Sequence, residues 1–361
     1  MTANITLFSP IKLGPCSLPN RIAMAPMTRN RAGAGNVPQA LNVTYYEQRV
    51  SAGLIISEGS QVSPQGIGYP GTPGCYNAEQ VAGWKKITDA VHAKGGHIFL
   101  QLWHVGRISH PSLQPGGFKP LAPSAIKPAG KVFTFEGMQD YVTPHALSLN
   151  EIPAIIEQFR SAAKNALDAG FDGVEIHGAN GYLLDQFLRD GSNTRDDAYG
   201  GTIARRARLL LEVTEAVCGV WGGNRVGMRL SPLNPFNDIR DSNPEETFSH
   251  AVRELNRFNL AYLHITEMGA ENPGAAGPAF DLFKLRKIWK GVYMTNSGYD
   301  LARANAVLGR GDADMVAFGV PFIANPDLPA RLETGAALNT ADQATFYGGN
   351  DKGYTDYPFM A

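Results

Sequence analysis

Residues 172–188 read DGVEIHGANGYLLDQFL. The first seven residues form a short, nearly continuous apolar run, as expected of a strand buried on both faces of a parallel sheet. The run LLDQFL then reads as a helix. Between them fall His177, Asn180 and Tyr182, three polar groups within six residues. Taken singly, each has a plain structural explanation. A histidine after a strand is more often structural than functional, an asparagine suits an N-cap, and a tyrosine suits a core.

Seven further runs share the strand character: RIAMAPMT (21–28), GLIISEGS (53–60), GHIFLQLWH (96–104), RVGMRLSP (225–232), AYLHITEM (261–268), VYMTNSG (292–298) and DMVAFGV (314–320). Amphipathic stretches with helix start and stop signals separate most of them, at 78–95, 151–170, 204–222 and 243–258. Eight strands alternating with helices predict an α/β fold, a (β/α)8 TIM barrel, as a single domain over 1–361. A doubly wound open sheet is the alternative, weakened because no GxGxxG follows a strand. Residues 5–20 predict an N-terminal hairpin over the barrel floor. The Pro- and Gly-rich stretch 105–150, after strand three, predicts a long capping insertion.

Bulk properties narrow the function classes. Formal net charge is −1, with 32 basic and 33 acidic residues, so neither nucleic acid nor an anionic membrane is an expected partner. The three cysteines, Cys16, Cys75 and Cys218, are far apart. They predict neither a disulfide framework nor a metal-ligand set, so no metal is expected and a reducing, cytoplasmic location is. The start MTANITLFSP lacks the basic and apolar segments of a signal peptide.

In a barrel of this type, chemistry sits at the C-terminal ends of the strands. Those ends carry Pro26-Met27-Thr28, Glu58-Gly59-Ser60, Gln101 with Trp103 and His104, the His177–Tyr182 group, Arg229, Asn296-Ser297-Gly298, and Gly319. Unpaired buried polar groups cost a few kcal/mol each, so their convergence implies a ligand that pairs them. The loops after strands seven and eight suit a phosphate held by backbone N–H groups. An amide, a hydroxyl and a cation beside such a cradle suit flavin mononucleotide, whose ring needs donors, acceptors and a counter-charge when reduced.

The motifs APMTRNRA (25–32), SEGSQVSPQGIGYPGTPG (57–74), QLWHVGR (101–107), HGANGYLLDQFL (177–188) with NTRDDAYGG (193–201), MRLSP (228–232) and NPDLPARL (325–332) occur in the order found in the old yellow enzyme family. From LFSPIKLG to FYGGNDKGYTDYP, nearly the whole chain resembles these FMN-dependent ene-reductases, which include 12-oxophytodienoate and N-ethylmaleimide reductases. The resemblance implies ping-pong reduction of the C=C bond of α,β-unsaturated carbonyls, driven by NADPH or NADH. A hydride passes from flavin N5 to the β-carbon.

It also implies roles. Ala25, Pro26, Met27 and Thr28 line the flavin, Gly59 and Gln101 hold its polar edge, and Arg229 stabilises the reduced anion. Ser297, Gly298, Gly319 and Val320 surround the phosphate. His177 and Asn180 hydrogen-bond the substrate oxygen, Tyr182 donates the proton to the α-carbon, and Tyr69, Trp103 and Tyr354 complete the substrate pocket. Relatives of this kind occur as monomers or homodimers. In one respect the chain departs from the pattern. The family commonly carries FGR at the eighth strand, whereas this chain has Phe318-Gly319-Val320.

Three rival readings remain. A lyase or aldolase barrel needs a Schiff-base lysine or metal ligands at the strand ends, and those ends supply neither. A flavin carrier without turnover predicts a disabled donor set, and all three donors are present. An iron–sulfur dienoyl-CoA reductase needs a cysteine cluster, and these cysteines are scattered.

Overall fold

The computed structural model describes residues 5–270 and 274–360. Residues 1–4, 271–273 and 361 of the expected single domain lie outside them. The strands are β1 (Ile11–Leu13), β2 (Cys16–Leu18), β3 (Ile22–Met24), β4 (Leu54–Gln61), β5 (Ile98–Trp103), β6 (Leu121–Ala122), β7 (Lys131–Thr134), β8 (Gly137–Asp140), β9 (His145–Ala146), β10 (Gly173–His177), β11 (Val226–Leu230), β12 (Tyr262–Thr266), β13 (Val292–Asn296) and β14 (Met315–Phe318). Eight of them, β3, β4, β5 and β10 to β14, close into one parallel barrel. These are the eight runs expected from the sequence. The main outer helices include α1 (Ala40–Glu47), α2 (Ala78–Ala93) and α3 (Ile152–Asp168).

The barrel strands are buried along their length except at Val292, which opens β13, but their two faces differ. On β10, Val174 and Ile176 belong to the large cluster between sheet and helices. The alternate residues, Glu175 and His177, point the other way, into the barrel, where Glu175 meets Gln101 and His264. The same alternation puts Leu100 and Leu102, Met228 and Leu230, and Leu263 and Ile265 in the outer layer. Gln101, Arg229 and His264 are left inside.

The lower half of the barrel is apolar. Phe99, Tyr262, Met294 and Met315 pack with Leu13, Cys16 and Leu18 of the β1–β2 hairpin in one cluster. The hairpin therefore plugs the floor, as its sequence position predicts. The upper half is polar and carries the site. Within 105–150, β6 pairs with β9, and β7 with β8 forms an antiparallel hairpin. No helix among the described residues is long and apolar enough to cross a membrane.

Candidate active site

Two cavities open at the C-terminal end of the barrel. The first, about 530 Å³, is lined by Ala25, Pro26, Met27, Thr28, Arg229, the Asn296–Tyr299 loop and the Gly319–Pro321 turn, with Asn180 at one side. The second, about 700 Å³, is lined by Thr28, Tyr69, Tyr182, Phe133, Phe135, Phe236 and Tyr347. Thr28 borders both. Gly59, Gln101, Trp103 and His177, also singled out from the sequence, lie on β4, β5 and β10 of the barrel and are not among the residues lining either cavity.

A register shift in β4 between Ile56 and Gly59 sets Gly59 opposite Gln101. A Cβ on Gly59 would come within 2.8 Å of the Trp103 ring, so only glycine permits this approach. The Gln101 Nε2 donates to Glu175 Oε1 at 2.8 Å. With its amide nitrogen so engaged, Gln101 has its oxygen free as an acceptor. Glu175 also accepts from His264 Nδ1 at 2.8 Å. Arg229 sits opposite His177 on the adjacent strand. Its Nη2 donates weakly to Asn296 Oδ1 at 3.4 Å, while its buried Nε has no partner.

The donor group is locally fixed. His177 Nδ1 accepts from the backbone N–H of Ala179 at 3.3 Å. A neutral imidazole bonded this way carries its proton on Nε2. Burial pushes the His177 pKa well below its ordinary value, and Arg229 and His264 add to the effect, so the ring is neutral. Asn180 adopts a left-handed backbone, φ 59°. Its N–H donates to Ser231 Oγ at 2.7 Å, and its Oδ1 accepts from Asn234 Nδ2 at 2.9 Å. Its own amide nitrogen is thereby left as a donor. Tyr182 packs edge-on to both Trp103 and His177, with centroids 5.0 Å away in each case. Its hydroxyl lies 3.4 Å from that of Tyr69. Burial raises the Tyr182 pKa, so the phenol stays protonated.

The phosphate-type loop is built from consecutive left-handed residues, Ser297 (φ 104°) and Gly298 (φ 64°). Arg303 Nη1 holds both of their carbonyls, at 3.0 and 3.2 Å, and Arg303 is itself paired with Glu267. Arg303 thereby fixes the carbonyls of two consecutive left-handed residues, a backbone pattern from which an anion nest can be built. Val320 is 55% exposed, and Arg229 is the one cationic side chain among the described residues lining this cavity.

One expectation fails. Tyr354 is fully buried, stacked on Tyr45 at 4.1 Å and bonded through its hydroxyl to Asn42. Arg29 and Arg31 cover its ring. It packs the C-terminal segment against α1 and lines neither cavity. The aromatic residue this segment gives to the second cavity is Tyr347. Glu175, His264, Asn234, Phe133, Phe135 and Phe236 also belong to this region and do not stand out in the sequence. Glu175 nonetheless carries a usable signal, a carboxylate inside a run otherwise fit for a buried strand.

The chemistry of this donor set fits FMN. The unpartnered guanidinium nitrogen of Arg229 and the left-handed Ser297–Gly298 loop belong to the lining of one cavity, and the Gln101 amide lies on β5 of the same barrel. A family model described as the NADH:flavin oxidoreductase / NADH oxidase family matches residues 6–339. The chain is 46% identical over 362 residues to 12-oxophytodienoate reductase 1 of Oryza sativa subsp. japonica, covering 99% of this chain and 94% of that protein. Among solved structures, morphinone reductase in complex with tetrahydroNAD is 49% identical with a TM-score of 0.93, covering 99% and 98% of the two chains. An old yellow enzyme homologue from Zymomonas mobilis is 43% identical with a TM-score of 0.95, covering 98% and 100%.

Proposed function

Because the chain belongs to the NADH:flavin oxidoreductase / NADH oxidase family and is an FMN-dependent oxidoreductase of the old yellow enzyme type, we propose that it reduces the C=C bond of α,β-unsaturated carbonyl compounds in two alternating half-reactions. The observation that carries this reading is the pair of fixed donors, His177 Nε2–H and the Asn180 amide, beside the Tyr182 phenol. Bound FMN supplies hydride transfer, taking a hydride from a nicotinamide and giving one to the β-carbon of the alkene.

The protein's own groups do the rest. Arg229 would face the flavin pyrimidine edge with its unpaired Nε, and Gln101 would accept from the ring with the oxygen that Glu175 leaves free. Thr28, on the border of the two cavities, is placed to donate to the ring. The Ser297–Gly298 nest, with the Gly319 and Val320 amides, would hold the phosphate. The substrate carbonyl lies against His177 and Asn180, where negative charge grows as hydride arrives. One well-aimed donor at such an oxygen lowers a barrier by about 2.7–4 kcal/mol. Tyr182 gives its phenolic proton to the α-carbon, with the Tyr69 hydroxyl next in line. Tyr69, Phe133, Phe135, Phe236 and Tyr347 make an apolar wall around the alkene. The β7–β8 hairpin thus acts as the cap.

The purified protein is expected to be yellow. Under anaerobic conditions NADPH or NADH should bleach the flavin band, and 2-cyclohexenone should restore it. A colourless protein that FMN does not reconstitute, or a bleached one that no enone reoxidises, overturns the proposal.

A further inference from the structure

The floor of the barrel, at the end away from the two cavities, gathers three groups that the sequence scatters. Cys16 lies on β2 of the plugging hairpin, His97 immediately before β5, and Asp172 immediately before β10. One ligand atom from each, the thiol sulfur, a ring nitrogen and a carboxylate oxygen, lies within 4.8 Å of the others. Cys16 is a buried free thiol. The Nδ1 of His97 is buried and has no hydrogen-bond partner. It stands 3.9 Å from Asp172 Oδ1, too far for a hydrogen bond. The other oxygen of Asp172 is held from behind by the backbone N–H of Ile98 at 2.8 Å and by His92 Nε2, on the last turn of α2, at 3.0 Å.

We propose that Cys16, His97 and Asp172 form a binding site for zinc(II) or a cation of similar softness. A thiolate, an imidazole and a carboxylate together make a donor set that zinc accepts, whereas calcium and magnesium take oxygen ligands. Around a tetrahedral ion with bonds of about 2.0–2.3 Å, ligand atoms sit roughly 3.5 Å apart. Small side-chain rotations close the observed spacing to that. A thiolate and a carboxylate balance a dication. Arg225 is the opposing charge nearby, with its Nη1 donating to the Asp172 carbonyl at 2.8 Å. Burial and Asp172 raise the Cys16 thiol, so the ion must displace its proton on binding. His92 orients the carboxylate as an outer partner. The sequence, from whose scattered cysteines no metal ligands are expected, does not mark this set, because its members are 81 and 75 residues apart and only the barrel floor unites them. An ion there ties the hairpin plug to the entrances of two adjacent barrel strands.

The test uses the full chain with its flavin, washed with chelator. Adding cobalt(II) should give a thiolate-to-cobalt charge-transfer band that saturates at one equivalent, and zinc(II) should displace it. Zinc should also raise the melting temperature. Cys16→Ser should abolish the band, and His97→Gln should raise the Kd at least tenfold. Both variants should keep their yellow colour and enone turnover, which shows that they fold. His92→Gln should weaken binding less than either. Absence of the band in the wild-type protein, or an undiminished band in Cys16→Ser, overturns the proposal. The second result would assign the ion to Cys75 or Cys218.

Discussion

The amide of Asn234 donates to the side-chain oxygen of Asn180 across 2.9 Å, and so decides which end of Asn180 faces the cavity. Asn234 is itself held by accepting from the backbone N–H of Phe236 at 3.1 Å. Replacing it with aspartate keeps the size and reverses the polarity. Asn180 must then turn to donate to the new carboxylate and present its oxygen to the substrate carbonyl. Loss of one aligned donor at a charging oxygen is worth up to about 2.7–4 kcal/mol. Asn234→Asp is therefore expected to slow enone-driven reoxidation of the flavin roughly a hundredfold while leaving the flavin bound. Stopped-flow reoxidation with 2-cyclohexenone measures this, and an unchanged rate constant would remove Asn234 from the account.

Tyr182→Phe separates the two half-reactions. Proton delivery by a positioned group contributes roughly 10²–10⁴-fold, and reduction by a nicotinamide needs no such proton. The variant should reduce its flavin at the wild-type rate and return the hydride to the enone at least a hundredfold more slowly. Because burial raises the Tyr182 phenol above its ordinary value, the alkene half-reaction should hold its rate through pH 9. It should fall only where the phenol ionises. Equal slowing of both halves would give Tyr182 a different role.

The eight strands were legible because each is a short apolar run between turn residues, and a barrel needs little more. The grouping of His177, Asn180 and Tyr182 was legible because the three share one strand-to-helix turn. Glu175 and His264 were not. Each sits inside an apolar run, and its partner is 89 residues away on a non-adjacent strand, so nothing local marks the pair. Tyr354 misled for the opposite reason. It shares a motif with Tyr347, and which of two aromatics seven residues apart faces the cavity is set by the Arg29 and Arg31 contacts that bury Tyr354. Phe133 and Phe135 reach the cavity only through the fold of the β7–β8 hairpin, which loop composition does not specify.

Under the proposed function, and without an arginine at position 320, phosphate binding would rest on the Ser297–Gly298 loop, whose two carbonyls Arg303 holds. Arg303→Gln removes the cation that draws both carbonyls outward. FMN affinity of the apoprotein should fall about tenfold. Val320→Arg should act in the other direction. The site is exposed and beside the cavity, and a charge-assisted hydrogen bond contributes roughly 1.5–3 kcal/mol, or about ten- to a hundredfold in Kd. Titration of apoprotein with FMN, followed by quenching of flavin fluorescence, measures both. No gain in Val320→Arg would mean that the nest alone saturates the phosphate.

Glu58, next to Gly59 on β4, makes stability depend on pH. Its carboxylate accepts from the Arg29 backbone N–H at 3.2 Å and the Tyr46 hydroxyl at 3.5 Å. Burial nevertheless pushes its pKa up from 4.5 to about 7, against the opposing pull of Arg29. Between those values the folded protein holds a proton that the unfolded chain has released. The stabilisation is therefore fullest at acid pH, declines as pH rises through the window, and levels off above about 7. A displacement of this size corresponds to roughly 3 kcal/mol across the window. Glu58→Gln keeps an acceptor for the Arg29 N–H and cannot titrate. Denaturant unfolding from pH 5 to pH 8 should show the wild-type protein losing stability relative to Glu58→Gln as pH rises. Parallel pH profiles for the two proteins would mean that Glu58 is already ionised in the folded state at pH 5.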